Sequence, residues 1–177
     1  MTAGHEGKCG GSAADAAITA PGSGGSIDPG SWARIVDILG LAPLPEEGGL
    51  YRQMWADGSS TAIYYLLAGV DFSAVHRLPA AEVYHHYAGA PLLLLLLDEA
   101  GGVYSEPILG PDIAGGQRPQ LVVPAGTWQG SSPLGSWCLV GTTMAPPFDW
   151  SGFELGIREE LCARFPAVAS RITALTR

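Results

Sequence analysis

The sequence predicts an all-β domain, a sandwich or barrel, on three observations. The first is composition: 25 Gly and 14 Pro stand against 9 Lys plus Arg in 177 residues, which supplies many tight turns. The second is rhythm, because short apolar and aromatic runs recur at about ten-residue spacing with Gly, Pro or Asp between them. The third is that helical spacing is confined to the two ends of the part of the chain able to form a core.

Residues 1–29 are rich in Gly, Ala and Ser and poor in large apolar side chains, so they cannot bury enough surface to offset the entropy of ordering. They are expected to form a flexible tail, with His5 and Cys9 inert within it, ahead of a single domain over 30–177. Ser31 is placed to cap a short helix in which Trp32, Ile35, Val36 and Leu39 share one face and Gly40 is the stop. After the Pro-rich turn LAPLPEEGG come the strand-like runs YRQMW, STAIYYLLA, EVYHHYA, PLLLLLL, GVYSEPIL, PQLVVP and SWCLVGTT. The barrel is therefore expected from about Leu50 to Thr143. FELGIREELCARF and AVASRITALTR have helical spacing and are separated by Pro166, so a small helical cap closes the domain. The run Leu92–Leu97 does not alternate, so both its faces need cover. Its own helices or a second copy of the chain could supply that cover, and a homodimer is the expectation.

A net charge of -8 without any cluster of Lys or Arg argues against nucleic-acid binding. The longest apolar run is far short of the roughly 20 residues of a membrane span, and no targeting segment opens the chain, so a cytoplasmic protein is expected. Cys9, Cys138 and Cys162 lack paired zinc spacing and read as free thiols, with Cys138 in the core.

The chemistry-bearing residues concentrate in HRLPAAEVYHHYAG, His76 to Gly89. On a strand, Glu82, Tyr84 and His86 share one face while Val83, His85 and Tyr87 share the other, so the adjacent histidines cannot serve one site. His76, across the turn containing Pro79, can return beside Glu82, with His86 deeper. His85 reads as a packing or interface residue.

His76, Glu82 and Gly89 fall on the spacing of a first cupin motif, His-x-His followed by Glu and then Gly, and Pro124, Gly126 and Gln129 of VPAGTWQG parallel a second, P-x-G-x-x-H. The chain more specifically resembles a cupin branch long catalogued as a domain of unknown function, through LGLAPLPEEGGLYRQ, STAIYYLL, LGPDIAGGQRPQLVVPAGTWQ, LVGTTMAPPFDW and FEL. This resemblance implies a jelly-roll β-barrel, usually dimeric, with a pocket in the barrel mouth. It does not imply one reaction. Metal-binding cupins use three histidines and a glutamate, whereas Leu78 and Gln129 stand at two of those places here. No metal is therefore expected, a weak divalent-ion site at His76, Glu82 and Gln129 being the alternative.

A histidine beside a carboxylate is a proton-transfer pair, so His76 and Glu82 are the candidate catalytic residues. Tyr65 or Tyr84 could supply an acid, by analogy with metal-free sugar epimerases of the superfamily. Arg52 and Arg118 are candidates for orienting an anion or a carbonyl, and Trp128 with Gln129 and His86 for lining the pocket, while Trp137 reads as core. Leu93 and Leu95 would make the pocket apolar, suiting a polyketide-like or aromatic ligand. The expected function is proton-transfer chemistry on a small organic molecule, of isomerase, epimerase, cyclase or lyase type, in a biosynthetic pathway. A non-catalytic binding cupin is the alternative.

Overall fold

A computed structural model describes residues 32–177. The tail reading, with His5, Cys9 and the Ser31 cap, lies outside the described residues. Helix α1 (Trp32–Leu39) leads into strands β1 (Ala42–Pro43), β2 (Leu50–Ala56), β3 (Thr61–Ala68), β4 (Ser73–Arg77), β5 (Glu82–Gly89) and β6 (Leu92–Asp98). Then come β7 (Val103–Ser105), β8 (Ile108–Leu109), β9 (Gln120–Val123), β10 (Trp128–Pro133), β11 (Trp137–Met144) and β12 (Glu154–Leu155). Helices α2 (Arg158–Arg164) and α3 (Ala169–Ala174) follow, joined by a single 3-10 turn at Pro166–Val168.

The strands form two antiparallel sheets, ordered β1-β2-β3-β11-β5-β9 and β12-β4-β10-β6-β7, with β8 added to β6. Their inner faces pack on one another in the jelly-roll manner: Tyr65, Leu67, Cys138 and Val140 of the first sheet meet Leu92 and Leu94 of the second in one buried cluster. Alternation explains the layering. Along β3, Ile63, Tyr65 and Leu67 point inward, while Tyr64, Leu66 and Ala68 point outward to α1. Helix α1 lays Trp32, Ile35, Val36 and Leu39 over Leu66, Trp137 and Leu139, and Gly40 ends it with a positive φ of 61°. Trp137 is thus core, as its sequence context suggests.

The leucine strand has two owners. Leu92, Leu94 and Leu96 face the barrel interior, whereas Leu95 and Leu97 pack with Val75 and Trp128 under Leu161, Phe165, Val168, Ile172 and Leu175 of the helical cap. Each fully buried leucine contributes roughly 1.5–3 kcal/mol. The chain's own helices therefore cover the second face, and the leucine run loses its force as an argument for a homodimer. The same parity places Leu93 and Leu95 outside the barrel, so they do not make a pocket apolar.

Three strands depart from the sequence expectation. SAVHR and WQGSSP are the central strands β4 and β10, and the FEL segment ends in the short strand β12 on β4 rather than opening a helix. GVYSEPIL divides into β7 and β8. The sheets also reach beyond Leu50–Thr143, to β1 and β12. Cys138 is buried, which pushes its thiol up to about 12, and Cys162 donates weakly to the Ala169 carbonyl at 3.5 Å; both are free. No helix of the described residues is long and apolar enough to cross a membrane.

Candidate functional site

The barrel interior changes character along its axis. On β11, Cys138 and Val140 give way to Thr142 and Met144; on β3, Leu67 and Tyr65 give way to Ile63 and Thr61. Beyond that change the side chains no longer fill the space, leaving a cavity of about 90 Å³. That is room for several waters or a small organic molecule. Glu47, His76, Glu82 and Thr142 line it together with apolar and aromatic groups including Leu78, Met144, Tyr51, Phe148 and Trp150.

His76 comes from β4 of the second sheet and is almost fully buried. Its Nδ1 lies 2.8 Å from the Ala74 carbonyl oxygen. A carbonyl can only accept, so Nδ1 carries the proton and Nε2 is the basic nitrogen of the neutral ring. Phe153 stacks on that ring at 5.1 Å and fixes its plane.

Glu82 comes from β5 of the first sheet and is buried as well. Its Oε2 accepts from the Gln129 amide Nε2 at 2.7 Å. Burial, and then the Glu47 carboxylate, raise its carboxyl above the ordinary range, against the opposing pull of His76 and of hydrogen bonds from Thr142 and Gln129. The result is a carboxyl biased toward holding a proton. Gln129 sits beside His76 across the β10–β4 ladder, so the three residues expected to cluster do so.

Glu47 was not anticipated. It lies in the turn LPEEGG, closed by backbone hydrogen bonds from the Gly48 N–H to the Leu44 carbonyl and from the Leu44 N–H to the Gly49 carbonyl, and its Oε1 accepts from the Ser73 hydroxyl at 2.6 Å. Gly49 allows the turn to sit this close: with φ at 74°, a Cβ there would come within 2.6 Å of the Tyr65 ring. Composition marked this stretch as a turn and gave no sign that one of its acids points inward.

The other expected site residues lie elsewhere. Tyr65 and Tyr84 belong to the packed cluster behind the carboxylates, and Tyr65 donates to the Gly48 carbonyl at 3.0 Å. Burial, reinforced by Glu47 for Tyr65 and by Glu82 for Tyr84, raises both hydroxyls well above their usual range, so they stay fixed donors in the packed cluster, and neither lines the cavity. Arg52 is exposed and donates to the Leu39 carbonyl at the end of α1, because its neighbours Tyr51 and Gln53 take the inward positions. Arg118 is exposed in the loop before β9 and donates to the Gln117 carbonyl. Trp128 takes the opposite face of β10 from Gln129 and packs under the cap, with Arg77 4.5 Å above its ring. His86 is half-buried, and its Nε2 lies 3.2 Å from the Ala90 carbonyl. None of these four lines the cavity. His85, on the outer face, contacts Gln120 and Thr143, as expected of a packing residue.

The residues present do not fit the superfamily's metal site. Leu78 presents an apolar side chain to the cavity, and Gln129 turns its NH₂ toward Glu82, occupying a ligand oxygen with a donor. No group of three His, Cys, Asp or Glu among the described residues is arranged to hold a metal ion.

No curated protein matches the chain in sequence. Among solved structures, a protein from Shewanella oneidensis is similar at 31% identity and a TM-score of 0.76, over 81% of this chain and 96% of its own. A hypothetical protein from Leishmania major is similar at 25% identity and a TM-score of 0.74, over 81% and 97%. Oxalate decarboxylase from Bacillus subtilis shares the fold alone, at 13% identity and a TM-score of 0.53, over 76% of this chain and 37% of its own. Residues 33–156 match the family described as Cupin superfamily (DUF985). With that match over most of the described chain, and with the jelly roll around a mouth-side cavity, the chain belongs to the DUF985 family of the cupin superfamily.

Proposed function

We propose that the protein is a metal-independent catalyst of proton transfer on a small organic molecule, with His76 as base and Glu82 as acid. The observation that carries this reading is that the two groups reach one cavity from different sheets, each anchored by its own partner. Ala74 holds His76, and Gln129 with Thr142 holds Glu82. Glu82 is therefore not the orienting partner of His76. It is the complementary group, and both residues line the one cavity, where a substrate atom can meet each of them.

In this reading the Nε2 lone pair of His76 removes a proton from a carbon beside a carbonyl or imine. The protonated Glu82 donates to the atom where charge develops, and proton return at a new position gives isomerisation, epimerisation or elimination. Leu78, Met144, Ile63 and the aromatic rim keep water sparse around the exchanging proton.

The test needs no knowledge of the pathway. The protein is incubated in D₂O with a panel of small carbonyl and imine compounds, and loss of carbon-bound proton signals is followed by NMR. His76→Gln and Glu82→Gln should each slow the exchange on the order of 10²-fold. Exchange at the parent rate in both variants would refute catalysis, and ligand binding without exchange in any panel member would favour a binding protein.

A further inference from the structure

The cavity's charge pattern says what class of molecule it can hold. Two acidic residues, Glu47 and Glu82, line it, and none of the lining side chains is an arginine or lysine. The nearby guanidinium groups are engaged elsewhere: Arg77 with Glu154 and Glu99, Arg171 with the Leu93 carbonyl, and Arg177 with the Glu46 and Glu47 carbonyls. A carboxylate or phosphate ligand would meet the Glu47 carboxylate with no guanidinium or ammonium group in the lining to offset it, an unfavourable arrangement. A positive ligand would instead find its counter-charge in Glu47, leaving Glu82 as the acid.

The mouth has the matching chemistry. Phe148 and Trp150 meet edge to face at 5.0 Å and 86°, and with Tyr51 they border the cavity. Aromatic faces of this kind attract cations. Between those two residues, Asp149 is exposed, and hydrogen bonds from Ser151 hold its carboxyl below the usual range, so it adds a fixed negative charge at the rim. Such a rim raises the local concentration of cations and repels anions.

We propose that the ligand of this cavity is a small organic ammonium, an amine held at the Glu47 carboxylate beside Glu82 with its carbon skeleton against Tyr51, Phe148 and Trp150. The inference rests on the reading of this cavity as the functional site and adds the substrate class to it. Glu47 is then a recognition residue, with the Ser73 hydroxyl holding it in place. A substrate of this class carries the amine a few bonds from the carbon that His76 deprotonates.

Isosteric trios separate charge from shape. Benzylamine, benzyl alcohol and benzoate, and the smaller isobutylamine, isobutanol and isobutyrate, are titrated calorimetrically into the full chain. In at least one trio the amine should bind on the order of tenfold tighter than the alcohol, with the carboxylate weakest. Glu47→Gln should erase the preference for amine while sparing the alcohol. Trp150→Leu, at a half-exposed position, should weaken the amine more than the alcohol. A carboxylate that binds as tightly as its amine, an amine no better than its alcohol, or the absence of binding in both trios overturns the proposal. The deuterium-exchange assay keeps the two readings apart. Exchange that depends on His76 in neutral carbonyl compounds, without amine binding, removes this inference alone, and amine preference without exchange removes catalysis alone.

Discussion

The two ends of the barrel are built from the same strands and do opposite things. At one end Leu67, Tyr65, Tyr84, Cys138, Val140, Leu92 and Leu94 interlock with no polar side-chain group beyond two tyrosine hydroxyls and a thiol. At the other, Thr61, Thr142 and Glu82, a few residues further along β3, β11 and β5, surround open space together with His76 of β4. The difference teaches that the fold's stability and its chemistry are segregated along one axis, with Tyr65 and Tyr84 as the partition. A barrel arranged this way can keep the buried Glu82 because the packed end offsets its cost.

The sharpest test of that segregation is a large-to-small change at the packed end. Leu94→Ala should lower stability by roughly 3 kcal/mol in denaturant unfolding, because it removes a fully buried side chain and leaves a void, while the folded fraction keeps its proton-exchange rate. His76→Gln should show the inverse pattern. Exchange falls on the order of 10²-fold, about 2.7 kcal/mol of barrier, with an unfolding midpoint close to the parent's, since glutamine can still donate to the Ala74 carbonyl. A His76 variant that unfolds as readily as Leu94→Ala would break the comparison.

Glu82→Gln probes the cost itself. The folded-state carboxyl is raised by burial and by Glu47, so the folded protein binds that proton more tightly than the unfolded chain. Its favourable contribution is complete below the ordinary glutamate range and is lost as pH rises through the raised value. The neutral amide escapes this loss. Glu82→Gln should therefore melt a few degrees above the parent near pH 8, with the gap closing toward about pH 4. A gap that widens on acidification would reverse the assignment. The smallest effect is chemical: Cys138, buried with its thiol at about 12, should resist alkylation in the native state and react on unfolding, whereas half-buried Cys162 reacts without it. Peptide mapping after a brief pulse of iodoacetamide distinguishes the two thiols.

The sequence revealed the first sheet better than the second, for a physical reason. Strands such as STAIYYLLA alternate large side chains because one face meets the core and the other meets α1 or solvent. SAVHR and WQGSSP hide because both their faces are buried and their inward places hold Ser73, His76, Gln129 and Ser131, residues that a strand pattern does not favour. The site thus disguised the strands that carry it. His76, Glu82 and Gln129 were still legible through motif spacing. Arg52 and Trp128 were misplaced for want of parity: each directly neighbours an inward residue, Gln53 and Gln129, and adjacent strand residues face opposite ways. Glu47 was invisible because a turn has no face to read.

The second sheet's central wall is one residue thick, with His76 turned to the cavity, Gln129 turned inward to Glu82, and Val75 and Trp128 turned to the helical cap. Such a wall has no neutral positions. In a saturation mutagenesis library selected for folded protein and then for activity, residues 73–77 and 128–131 should tolerate the fewest substitutions in both rounds. Cap positions such as Leu161 and Ile172 should accept changes mainly in combination with changes at Val75 or Leu95, so the lineage that carries this site inherits the cap with it.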